Sequence, residues 1–165
     1  MVAILPSTNP PGILTPAEFK QAIYDACCTT IQQRIDAANA AVKAAREATA
    51  SEGKSTAGDK HETGRAMAQL EQEKFLKQLG EANKLMAALH RIDASKKHEV
   101  AALGSLLETN RGWFFLSVAV GKLSVDGKQV FGLSPASPIG KALHGKAAGD
   151  AITFNGQVTE LVAVY

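Results

Sequence analysis

Two adjacent thiols, Cys27 and Cys28, are the first side chains in this sequence that could act as nucleophiles. Thiol acyl transfer needs a base within hydrogen-bond reach and an oxyanion hole. No histidine lies near the pair in sequence, so this chemistry is the last reading to adopt. The pair falls in a helical stretch, where neighbouring residues point about 100° apart and are poorly placed to bridge each other. Reduced thiols in a cytoplasmic protein are expected. His61, His90, His98 and His144 are scattered, without the spacing of a structural zinc site. Asp59 and Glu62 are two carboxylates three residues apart at a predicted helix start. From spacing alone they form a capping box, the first as cap and the second folding back. Around them Lys54, Lys60, His61 and Arg65 form a basic cluster. Such a cluster is either a solvated loop or a contact for RNA phosphates.

The elements that carry these residues are legible from pattern. Residues Pro6 to Thr15 hold three prolines and a glycine, which predicts an extended leader over 1–15. Thr15, Pro16 and Glu18 then read as a helix start: a hydroxyl cap, proline at the first helical position and an acid in the first turn. No glycine or proline follows until Gly53, which allows about 36 helical residues, or about 54 Å. Ile31, Ile35, Ala38, Val42 and Ala45 recur at steps of four and three, the period of a coiled-coil seam. Phe75, Leu79, Ala82, Met86 and Leu89 repeat it in a second helical stretch from Asp59 to about Ile92. Two such helices joined by a short polar break pack antiparallel. The expectation is a hairpin over 16–93 with its tip at about 51–62.

From Ala94 the composition changes, and a domain boundary is expected near 93–99. Trp113 to Val120 is aromatic and β-branched, hence strand-like. Asp126-Gly127 and Asn155-Gly156 each sit between two strand patterns and signal hairpins. Ser137-Pro138 can cap and open a short helix that stops at Gly145. The predicted fold class is α+β: a long antiparallel coiled-coil hairpin, then a small antiparallel β domain with one short helix over 94–165. Composition agrees with this. Apolar residues make up 45% of the 165, while aromatics make up 5%, as suits alanine-rich helices packed along a narrow seam. A formal net charge of +2 excludes a general electrostatic trap for nucleic acid. No apolar run approaches the roughly 20 residues that span a bilayer, and Met1 to Leu5 lacks the features of a secretory signal.

Two segments resemble the Gre family of bacterial transcript-cleavage factors, GreA and GreB. Residues Ser137 to Asp150 read SPIGKALHGKAAGD, similar to the family signature SPxxxALxGKxxGD and just before the terminal strand pair. Gly58-Asp59-Lys60-His61-Glu62 is similar to the family's GDxxEN. The order of elements agrees from about residue 16 to 165. The resemblance implies an FKBP-like C-terminal domain that docks on the rim of the secondary channel of bacterial RNA polymerase. It also implies a coiled coil that reaches down the channel to the backtracked RNA 3′ end. The acidic pair carries over to Asp59 and Glu62, which would assist cleavage by helping to hold a Mg²⁺ that the polymerase supplies. Lys54, Lys60, His61 and Arg65 would contact RNA or the anionic channel. Lys141 and Lys146, which have no capping duty and should face outward, would dock on the polymerase.

On that reading the chain is not an enzyme, has no cofactor of its own and acts as a cytoplasmic monomer away from membranes. Thr63 stands where the family has Asn, Ala66 where it has Tyr, and the link from Ala45-Arg46-Glu47 to Gly58 is several residues longer. An FKBP-like domain could suggest prolyl isomerisation, which needs an aromatic-lined pocket. With one Trp, two Tyr and six Phe, a stripped-down binding domain is the better expectation. Two alternatives stay open: a Gre-like channel-binding inhibitor without cleavage activity, and a coiled-coil scaffold unrelated to transcription.

Overall fold

The computed structural model describes residues 13–52 and 58–165, with side chains described outside 52–61. The first helix, α1 (Pro16–Glu52), starts where its caps predict. The Glu18 N–H donates to Thr15 Oγ1 at 3.2 Å, and the Thr15 N–H donates to Glu18 Oε2 at 2.8 Å. This reciprocal box satisfies donors that the helix itself cannot. The second helix, α2 (Gly58–Leu89), follows after residues 53–57. Six strands and a third helix complete the chain: β1 (Leu106–Thr109), β2 (Gly112–Leu116), β3 (Gly121–Val125), β4 (Lys128–Leu133), α3 (Pro138–Leu143), β5 (Ala151–Phe154) and β6 (Gln157–Val164).

Two compact units result. Cys28–His90 forms one; the described chain up to Cys27, together with Arg91–Tyr165, forms the other. In the helical unit, the predicted seam is the buried one. Ile31, Ala38, Val42 and Ala45 on α1 are buried, as are Ala82 and Leu89 on α2, with Ile35, Phe75, Leu79 and Met86 half-buried. The helices run antiparallel. Cys28, Gln32 and Asp36 share a cleft with Met86 and His90. Further along α1, Arg34, Ala38 and Ala41 share another with the earlier residues Phe75, Gln78 and Ala82.

In the other unit the sheet order is β3-β4-β2-β1-β6-β5. Both predicted hairpins form. Asp126 and Gly127 have φ of 51° and 70°, Asn155 and Gly156 of 50° and 74°, the left-handed pairs that a tight primed turn requires. The sheet departs from the expected all-antiparallel form, because β2 pairs with β4 in parallel, Phe114 opposite Phe131. The chain leaves β2 through Ser117–Val120, lays β3 on the outer edge and turns back at Asp126-Gly127. It thus re-enters beside β2 in the same direction. Gly132 of β4 makes room for this crossing: a Cβ there would lie 2.3 Å from Val120 Cγ2 and 3.1 Å from the Val118 carbonyl.

Both faces of the sheet are covered, which is why adjacent residues Leu106 and Leu107 are both fully buried. One face holds Leu107, Leu116, Leu143 of α3, Ile152 and Leu161. On the other, Phe19 from the second turn of α1 meets the Trp113 ring edge-on at 5.0 Å, and Tyr165 stacks on Trp113 at 6.2 Å. Lys128 Nζ lies 4.9 Å from the Phe19 ring centre and 5.3 Å from that of Trp113, within cation–π range.

Candidate functional site

The acidic pair falls on the first turn and a half of α2. Asp59 is the second residue of the helix and Glu62 lies three positions later, a spacing that puts both on one helical face. Glu62 and Arg65 are exposed. Lys54 lies outside the described residues, and so do the side chains of Asp59, Lys60 and His61. Among the described residues no cluster of three or more His, Cys, Asp or Glu forms a metal site of its own.

The segment from Ser137 to Asp150 builds a local structure in which most positions have a mechanical reason. Ser137 Oγ accepts the Gly140 N–H at 3.1 Å and donates to the Ser134 carbonyl at 2.6 Å. Pro138 opens α3 and Leu143 is fully buried in the sheet core. Gly140 is buried because nothing larger fits. A Cβ at that position would lie 2.2 Å from the Ser134 carbonyl and 2.9 Å from Ser137 Oγ. His144 caps the helix and Gly145 turns left-handed at φ 78°. Asp150 closes the following turn by accepting the Ala147 N–H on its carboxylate at 2.8 Å. Lys141 is exposed and Lys146 half-exposed. The Lys146 main chain is engaged, its carbonyl accepting the Ala101 N–H at 2.7 Å.

A further group was not signalled by the sequence. Lys20, in the second turn of α1, is only 2% exposed. Its ammonium donates to the main-chain oxygens of Lys96, at 2.6 Å, and Tyr165, at 3.1 Å. Burial lowers its pKa from the ordinary 10.5 to about 8, against a smaller upward pull from the Asp93 carboxylate. The Asp93 carboxylate accepts from the Ser95 hydroxyl and N–H, and those bonds hold it below the usual range. His98 is also lowered, first by burial and then by the charges of Lys20 and Lys96. Lys20 forms one wall of a cleft of about 470 Å³ that also includes Pro16, Ala94, Lys96, His98 and Val164. A lysine early in an amphipathic helix reads as solvated; what buries this one lies 76 and 145 residues away in the chain.

Cys27 is buried one turn after Ile23 on α1, Cys28 is half-buried, and neither forms a disulfide. No helix among the described residues is long and apolar enough to cross a membrane.

The sequence matches no family model, and no curated protein matches it. Among solved structures, the chain is similar to one described as "Structure of the transcription factor Gfh1", with 21% sequence identity over 85% of this chain and 94% of that one and a TM-score of 0.36.

Proposed function

We propose that this chain is a transcription elongation factor of the Gre type, which binds RNA polymerase and stimulates cleavage of backtracked RNA. The observation that carries the reading is an order of features. An antiparallel helical hairpin has a second helix that opens with Gly58-Asp59-x-x-Glu62, and the same chain continues into a sheet unit containing the SPxxxALxGKxxGD segment. The roles follow from chemistry. Asp59 and Glu62 would offer carboxylate oxygens from one helical face to a Mg²⁺ at the polymerase's own active centre. That ion, when bound, supplies Lewis acidity and a bound water as nucleophile. Glu62 is exposed and so free to orient such a water. Arg65, on the same exposed turn, would neutralise RNA phosphate, with Lys54, Lys60 and His61 assigned to the same task. Lys141 and Lys146 would meet the polymerase rim. The partners are then RNA polymerase and the RNA 3′ end, the factor acts as a cytoplasmic monomer, and hydrolysis belongs to the polymerase.

Thr63 and Ala66 favour a second reading. They replace the Asn and Tyr that flank the acidic pair in the family pattern, and an acidic pair aimed differently would occupy the channel without promoting cleavage. A cleavage assay on stalled elongation complexes from the native organism separates the two. Stimulated cleavage that is lost in Asp59→Ala and Glu62→Ala, with polymerase binding kept, supports the first. Binding with suppressed cleavage supports the second. Absence of polymerase binding refutes both and leaves a coiled-coil scaffold.

A further inference from the structure

The transcription reading leaves Cys28 unused, and the helical packing does not explain it either. The seam of α1 takes Cys27 and, one turn on, Ile31, both fully buried. Cys28 lies about 100° round the helix from Cys27. It is half-buried and lines a cleft with Met86 and His90. The His90 N–H donates to the Met86 carbonyl at 3.0 Å, so the helical turn continues through His90. Residues four apart on such a turn are neighbours on one face, with about 5–6 Å between Cβ atoms. A thiol from one helix therefore shares the cleft with a thioether and an imidazole from the other. The sequence holds only two cysteines, three methionines and four histidines, so composition alone does not crowd one of each together.

The donor types decide which ion fits. Thiolate and thioether sulfur select soft ions such as Cu(I), imidazole suits copper as well, and carboxylates suit hard ions. The carboxylate lining the cleft, Asp36, already accepts the Gln32 side-chain N–H at 2.9 Å. Among the described residues no three His, Cys, Asp or Glu side chains group as ligands; the third donor here is a thioether. We infer that this cleft is a binding site for Cu(I), held by Cys28, Met86 and His90. Met86, unbranched with three rotatable bonds, can bring its sulfur to the ion. Binding replaces the thiol proton: the S–H bond breaks, the S–Cu bond forms and the proton leaves to solvent, with no change of oxidation state. This inference does not depend on the transcription reading.

The test uses the whole protein, reduced and kept free of oxygen, with Cu(I) supplied from its bicinchoninate complex. The native protein should withdraw one equivalent of Cu(I), release protons as it does so, and show a thiolate-to-copper band in the near ultraviolet. Cys28→Ser should lose the band and weaken binding by about a hundredfold or more. Cys27→Ala, which alters the seam and not the cleft, should keep both. Met86→Leu and His90→Gln preserve side-chain bulk and should each weaken binding by about tenfold. No withdrawal of Cu(I) by the native protein overturns the inference, whether or not any variant folds. Native affinity in Cys28→Ser, or loss of binding in Cys27→Ala with its circular dichroism intact, overturns it too. Native affinity in both Met86→Leu and His90→Gln would mean an adventitious ion on a thiol only, and that outcome likewise overturns it.

Discussion

The buried Lys20 ammonium makes the stability of the sheet unit depend on pH in a direction opposite to most lysines. Its pKa falls from 10.5 in the unfolded chain to about 8 in the folded one. Between those values the unfolded state binds the proton and the folded state releases it, so stability rises with pH across that window. Below pH 8 the cost of the buried charge is fully present. A difference of about 2.5 units at about 1.4 kcal/mol each gives about 3.5 kcal/mol. The assay is urea unfolding followed by the fluorescence of Trp113, the single tryptophan, which contacts the same turn of α1 through Phe19. Midpoints at pH 7.5, 8.5, 9.5 and 10.5 should climb in the native protein relative to Lys20→Met. The Tyr165 hydroxyl, raised above its usual 10.0 first by burial and then by Glu108, pulls stability down above pH 10 in both proteins and cancels in the difference. Lys20→Met also takes a donor from the Lys96 carbonyl, at about 1–3 kcal/mol, while the Tyr165 oxygen keeps the Leu106 N–H at 3.0 Å. That offset is independent of pH and does not disguise the slope. Parallel curves for the two proteins would refute the argument.

Other outcomes follow from packing and charge. Gly140→Ala should lower the unfolding free energy by about 1–3 kcal/mol, since the new methyl meets a main-chain carbonyl; an unchanged free energy in urea unfolding would show that the Ser134 turn yields freely. Leu143→Ala empties a fully buried position in the sheet core and should cost about 2–5 kcal/mol by the same measurement. The double charge reversal Lys141→Glu/Lys146→Glu should leave the circular dichroism spectrum intact, because surface substitutions shift stability by about 0.5 kcal/mol or less. It should weaken polymerase binding and flatten its salt dependence; unchanged affinity would move docking elsewhere, for instance to the Trp113–Val120 strand.

The legibility of this fold in its sequence divides along the range of the interactions. The seam of α1 and α2 was readable because Ile31 to Ala45 and Phe75 to Leu89 repeat a local period. The two hairpins were readable because Asp126-Gly127 and Asn155-Gly156 tolerate left-handed backbone that other pairs resist. The capping of α1 at Thr15 and of α3 at Ser137 is likewise a matter of three or four residues. The strand β1 was missed, though Leu106-Leu107-Glu108-Thr109 before Asn110 and Gly112 carried a faint signal for it. The parallel pairing of β2 with β4 depends on where a crossing chain lies, and no local pattern encodes that. Nor does any encode the burial of Lys20, or the grouping of the first turns of α1 with strands some ninety residues later, about the scale at which loop closure rather than local propensity governs. The site residues divide similarly. Glu62, Arg65 and Lys141 are exposed residues of local segments, while the Lys20 cleft is assembled from three distant stretches of chain.

Because one compact unit is interrupted by the other, the hairpin has a bearing on how the sheet unit assembles. The segment Cys28–His90 separates the two stretches that build the sheet unit, and left as a flexible loop it would impose a closure entropy on them. Its two ends, Cys28 and His90, line one cleft, so a folded hairpin delivers them already side by side. Helices of this kind form within microseconds, and during synthesis the hairpin emerges before β1. Strand β6 and the Tyr165 oxygen that Lys20 holds emerge later still. The hairpin is thus a preformed clasp. Substitutions that loosen its seam should slow the folding of the sheet unit even though they remove none of that unit's own contacts.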